Sequence, residues 1–290
     1  MSKSLLGSYL QFLRSPVLMA RPDAIEIAQG KVISHSLRLY CVHLLLVLII
    51  GVAITQALGG ELDSNNLQQI FADMPVGFLF TMAVIVAPVV EESIFRLPLR
   101  PFALNIALPC TLVILFIAAQ VLGLSGPLLI LWGSLLAGFN LYLWRMRPKE
   151  RVLQDVYRRY PRIIFYLSAL LFGVLHITNY DASVWALLPL LVLPQFVVGL
   201  WLGFIRLRYG FRWAVLAHAF HNGCLLLPMA LFKLFGSAEL QAAGPGTTDI
   251  KSLSLPDQLL TAGMGLYTLA GVAVCGIVAW RVIREWKQNR

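Results

Sequence analysis

The chain has 290 residues, with 23 Lys and Arg against 14 Asp and Glu, and a formal net charge of +9. Hydrophobic residues make up 59% and charged residues only 13%, against about 45–50% and about 25% in soluble domains; mean hydropathy is +0.77. This composition excludes an ordinary soluble enzyme, and the placement of the basic residues argues against nucleic acid as the partner.

Residues 1–38 read as a cytoplasmic or interfacial N-terminal segment. Leu5, Leu6, Tyr9, Leu10 and Leu13 mark one face of a short helix. The segment lacks the continuous apolar stretch and small-residue cleavage site of a secretory signal. Apolar runs then recur at 39–58, 75–97, 102–121, 127–144, 163–178, 184–205, 213–235 and 259–282. A span needs about 20 apolar residues to cross about 30 Å of hydrocarbon. In lipid an open strand edge cannot be satisfied, so these runs are predicted as helices. The expected fold is all-α: a polytopic transmembrane bundle of about eight spans.

Charge gives the expected orientation. All Lys and Arg except Lys233 and Lys251 fall in segments that an N-in, C-in chain leaves on the cytoplasmic side, as the positive-inside bias requires. The net charge then reflects attraction to anionic headgroups rather than to nucleic acid. Residues 59–74, acidic and without a basic residue, are expected outside. Residues 145–162 interleave basic side chains with Val152, Leu153, Val156 and Tyr157 and predict an interfacial amphipathic helix. Residues 236–258, rich in Gly, Ala, Ser and Thr, are expected to form an external, mobile loop. Cys41, Cys110, Cys224 and Cys275 all lie in apolar runs without a CxxC pair, so buried free thiols are expected.

The polar residues inside the spans carry the chemistry. An ionisable group at the bilayer centre costs about 2.5–3.5 kcal/mol on insertion scales. Glu91, Glu92, His176 and His218 stand in such surroundings, with His221 and Asn222 nearby. Glu92 and Arg96 are spaced i,i+4 and can pair on one helix face. Glu91 points about 100° away and is free to act as a base. His218 and Asn222, also i,i+4, can hold a developing oxyanion. Each group has a structural reading as well: helix anchoring for the glutamates and Arg96, packing for His176, interhelical hydrogen bonding for His218 and Asn222. Three such groups in one chain favour a shared site.

These residues resemble the CPBP family, the CAAX proteases and bacteriocin-processing enzymes, also described as Ras-converting-enzyme-like. Its pattern of EExxxR, FxxxH and HxxxN stands here as Glu91-Glu92-x-x-x-Arg96, Phe172-x-x-x-His176 and His218-x-x-x-Asn222. Gly199, Gly203, Arg208, Gly210 and Ala214 ahead of the last motif also look like the family. The resemblance implies an intramembrane protease domain over 39–285. In it Glu91 and His176 activate water, His218 and Asn222 stabilise the oxyanion, Glu92 and Arg96 orient the site, and Phe172 packs beneath it. It further implies a membrane-anchored or lipidated protein substrate, and a bacterial inner or plasma membrane with the site opening toward the cytoplasm. No cofactor is expected. Zinc is not favoured, because no HExxH motif is present; in a metal-dependent version Glu91, His176 and His218 would be the ligands.

The chain departs from the family in one place. His176 follows Glu91 by 85 positions, where the family usually has a few dozen. A helical hairpin and the basic segment, about 101–161, account for the excess. Two added spans keep the direction of everything downstream. One tension follows. Counted from Arg96 and Arg212, Glu91 and His218 lie about 10 Å inside the cytoplasmic boundary, whereas His176, counted from Arg162, lies about 20 Å deep. The site closes only if the helix bearing His176 begins below the interface or tilts. Two other functions compete: a transporter or channel using the buried carboxylates as a relay, and a non-catalytic scaffold or immunity protein. Against the transporter, no inverted repeat or pair of broken helices is evident.

Overall fold

A computed structural model describes residues 4–18, 28–57, 74–122, 126–146, 150–180, 187–243 and 252–289. The expected external segment at 59–74, all but Met74, and the middle of the 236–258 loop lie outside the described residues. Among the described residues the chain is helical and contains no strand.

Helix α1 is Leu5–Arg14 and α2 is Gln29–Ala57. Helix α3 is built of Val76–Phe80, a π-helical stretch Thr81–Val86 and Ala87–Phe95, closed by a 3₁₀ turn Leu97–Leu99. Then come α4 (Ala103–Leu122), α5 (Pro127–Met146), α6 (Glu150–Arg159) and α7 (Pro161–Leu175). A 3₁₀ turn His176–Asn179 ends α7. The rest are α8 (Leu188–Leu191), α9 (Leu193–Tyr209), α10 (Phe211–Phe235), α11 (Ala238–Ala243) and α12 (Leu255–Gln288).

Six helices among the described residues are long and apolar enough to cross a membrane, those of α2, α3, α7, α9, α10 and α12. Helices α4 and α5 supply shorter apolar stretches, Ala103–Leu115 and Ile130–Tyr142. The chain is thus an all-α polytopic bundle. Helix α9 is its axis: 67% of its most apolar window is buried, against 17–28% in the other five. It packs on α7, α2 and α10. Between helices in lipid there is little hydrophobic drive, so small residues must let backbones approach. A Cβ at Gly203 would stand 2.8 Å from the Phe165 ring, and one at Gly199 would stand 3.2 Å from the Ala169 backbone. At Gly210 φ is +109°, a conformation open to glycine, which lets α9 stop and α10 start within one residue.

The N-terminal helix is docked rather than loose. Leu6 and Tyr9 are buried. The His43 Nδ1–H donates to the Leu39 carbonyl at 2.7 Å, so its Nε2 accepts from the Tyr9 hydroxyl at 2.8 Å. Because α2 begins at Gln29, residue 38 falls inside a continuous helix. In the basic segment, Tyr157 of α6 is buried and donates its hydroxyl to the Pro98 carbonyl; burial pushes this phenol up to about 12. The α4–α5 hairpin packs on α3 through α4, and α5 leaves Ile130 72% and Leu141 62% exposed.

Three of the arginines counted toward the cytoplasmic side are enclosed by the protein. Arg96, Arg100 and Arg206 are buried. Arg100 donates to the carbonyls of Leu18 and Leu207 at 3.1 and 2.9 Å, and Arg206 Nε donates to the Arg96 carbonyl at 3.1 Å. They satisfy carbonyls that helix and loop ends leave open rather than facing headgroups. Burial holds the Arg100 guanidinium below its ordinary value.

Candidate active site

The site starts from a proline. Pro88 lacks an N–H for the carbonyl four residues earlier, and its ring crowds that turn. The preceding helix widens to the π form over Thr81–Val86, a distortion frequent at functional sites. One carbonyl in this stretch, that of Ala83, accepts the Asn222 amide N–H from α10 at 2.7 Å.

One turn on, the paired glutamates diverge as their spacing dictates. Glu92 is fully buried. Its Oε2 lies 3.4 Å from Arg96 Nε, and its Oε1 lies 3.0 Å from His218 Nδ1. The i,i+4 pair is therefore present, but Glu92 also holds a histidine of another helix. The Arg96 guanidinium covers the Phe172 ring at 4.0 Å, a buried cation–π contact. Phe172 is itself 0% exposed and sets its ring 4.6 Å from that of His176 and 5.8 Å from that of His218.

Glu91 faces the other way, into a cavity of about 470 Å³. His176 and His218 line the same cavity. Each Nε2 is 3.8 Å from Glu91 Oε2. That is too long for a direct hydrogen bond and suits one small molecule held among the three atoms. Glu91 Oε2 makes no hydrogen bond among the described residues. The tautomers follow from the partners. His176 Nδ1 is 2.7 Å from the Phe172 carbonyl, which can only accept, so Nδ1 carries hydrogen. His218 Nδ1 faces the Glu92 carboxylate in the same sense. Both rings thus turn Nε2 toward Glu91.

The depth mismatch expected from the sequence does not separate these groups. Glu91 and His176 line one cavity, with His176 Nε2 3.8 Å from Glu91 Oε2. His176 ends α7 and is turned inward by the switch to a 3₁₀ turn.

Glu91, His176, His218 and Asn222 share the cavity wall, while Glu92, Arg96 and Phe172 support it from behind. Asn179, Gln195 and His221 line the cavity too. His221, three residues after His218, stands beside the motif in the sequence, and Asn179 follows His176 at the same interval. Nothing in the sequence marked Gln195. Zinc would need donors about 2.0–2.2 Å from one centre. Among the described residues no group of three His, Cys, Asp or Glu is placed to hold a metal ion.

The chain matches the family described as type II CAAX prenyl endopeptidase Rce1-like over residues 75–224, just over half its length and all of the residues named in the three motifs. No curated protein and no solved structure matches it. With its apolar helices and this match, the chain belongs to the Rce1-like family of type II CAAX prenyl endopeptidases, a family of membrane proteases.

Proposed function

We propose that the chain is an intramembrane endopeptidase that hydrolyses a peptide bond in a membrane-anchored or lipidated protein, using water activated by Glu91 and His176. The observation that carries this reading is the convergence of two imidazole Nε2 atoms on Glu91 Oε2, each at 3.8 Å, in the wall of one cavity.

The chemistry follows from the hydrogen inventory. With its Nδ1–H engaged, neutral His176 offers Nε2 as an acceptor, while His218 acts as the imidazolium, donating from Nδ1 to Glu92 and from Nε2 into the cavity. A water between Glu91 Oε2 and His176 Nε2 donates its two hydrogens to them and keeps a lone pair for the scissile carbonyl carbon. As the O–C bond forms, Glu91 takes the proton and the carbonyl electrons move to oxygen. The His218 Nε2–H and the second amide N–H of Asn222 donate to that oxyanion. The C–N bond then breaks, and the Glu91 proton passes to the leaving amine. Glu92 orients His218 as a buried carboxylate orients a histidine in other hydrolases. Arg96 balances the Glu92 charge, and Phe172 supports both rings. The scheme uses no cofactor.

The same reading makes 1–38 an interfacial segment and 39–285 the protease domain, with 101–161 as an inserted hairpin plus amphipathic helix. It puts eight spans in a bacterial inner membrane, both termini in the cytoplasm and the site open to that side; the distribution of basic residues supports the orientation, and the two shorter apolar helices beside the six long ones support the count. The test compares the membrane proteomes of cells carrying the wild type and Glu91→Gln. Membrane-anchored precursors with uncut termini accumulate in the variant; identical termini in both would overturn the proposal.

A further inference from the structure

A second and larger cavity, about 950 Å³, lies between α2, α10 and α12. It shares Leu225 with the lining of the candidate active site. The partition between the two includes Tyr40, whose ring meets that of His221 edge-on at 5.8 Å. The cavity wall is apolar side chain for most of its extent. Pro228 deprives the Cys224 carbonyl of its helical donor, and the Tyr267 hydroxyl from α12 takes that place at 3.2 Å. A roomy space with so few polar groups to hold ordered water suits a hydrocarbon chain.

Length and charge identify the chain's owner. The cavity runs along α12 from Tyr267 to Val278 and along α2 from Leu48 to Gly30, about 16 Å and about 27 Å at the helical rise. The α12 stretch is close to one leaflet's share, about 15 Å, of the hydrocarbon. Beyond it the α2 lining continues to Arg38, Ser34 and Gly30. Arg38 pairs there with Glu285. Lys31 is exposed one helical turn before Ser34, and Lys31, Arg38 and Arg208 all act on the charge of His35. An amphiphile in this groove would therefore set its tail against α12 and its headgroup near Lys31, Arg208 and the Arg38–Glu285 pair, where the cations outnumber the one carboxylate.

We propose that this groove binds one anionic phospholipid, with an acyl chain between α2, α10 and α12 and the phosphate at Lys31 and Arg38. The site is separate from the Glu91 cavity and does not rest on the reaction assigned to it.

The test uses the purified full-length protein in detergent, incubated with phosphatidylglycerol or with phosphatidylcholine of the same chains, and counts retained lipids by native mass spectrometry. The wild type should keep one phosphatidylglycerol per chain, at least fivefold in preference to phosphatidylcholine. Gly271 lines the groove and a Cβ there meets nothing within 4 Å. Gly271→Phe fills that space and should lower retention at least tenfold. Lys31→Gln should cut the headgroup preference while leaving the tail bound. Wild-type retention in a folded Gly271→Phe protein would overturn the proposal, as would a graded series of lipids without headgroup preference, the signature of annular lipid. Displacement of the phospholipid by an equal concentration of farnesylated peptide would assign the groove to a substrate anchor and overturn it too. If Gly271→Phe does not fold, the headgroup comparison between wild type and Lys31→Gln decides.

Discussion

The helices α3, α7 and α10 and the hairpin α4–α5 are made of similarly apolar sequence and use it in opposite ways. In the first group polar side chains face the cavity or the core and are tied to the protein: His218 to Glu92 and Asn222 to the Ala83 carbonyl across helices, His176 to the Phe172 carbonyl one turn before it. In the hairpin, Asn140 reaches Thr111 at 2.6 Å, and apolar side chains face outward. The hairpin lies between the first two motifs in sequence, yet α7 packs directly on α3. Two added helices return the chain to its starting side, and the entropy of closing a longer connection grows only slowly with its length. Separation in sequence thus says little about separation at the site.

The largest effect expected from breaking this contrast is at Glu91. Glu91→Gln keeps the shape and removes the base, and kcat should fall by about 10²–10⁴-fold with little change in thermal stability. His218→Ala comes next, losing about 10²–10³-fold through the oxyanion; a smaller loss in His221→Ala would separate the two neighbours. Gly203→Val forces Phe165 aside and should destabilise the fold by about 1–3 kcal/mol, read as a lower melting temperature with reduced activity. Leu135→Ala on the outward face of α5 should leave activity within about twofold, as exposed substitutions usually do. Treatment of the reconstituted protein with a chelator should change the rate least of all.

Much of the architecture was legible because its causes are local. Apolar runs mark the helices, and the three motifs mark residues that the fold gathers at one cavity wall. What escaped the sequence is tertiary. The i,i+4 rule finds the Glu92–Arg96 pair within one helix but cannot see that Glu92 also meets His218 on another. The positive-inside count treats each arginine as facing headgroups, whereas Arg96, Arg100 and Arg206 are buried, two of them capping carbonyls. Tyr9 and His43, far apart in sequence, fix the N-terminal helix by a hydrogen bond that no periodicity announces. Gln195 enters the cavity from the start of α9, where a lone glutamine between Pro194 and Phe196 carries no pattern.

The central claim, that Glu91 acts as a base on water, is tested most directly by isotope transfer. The wild-type protein in liposomes is given a peptide spanning the cleavage site found by the proteome comparison, for a single turnover in ¹⁸O-labelled water. A general base puts one ¹⁸O atom into the new product carboxylate and none into Glu91. Unlabelled product with ¹⁸O in the Glu91 side chain, or undiminished cleavage by Glu91→Gln, would contradict the account.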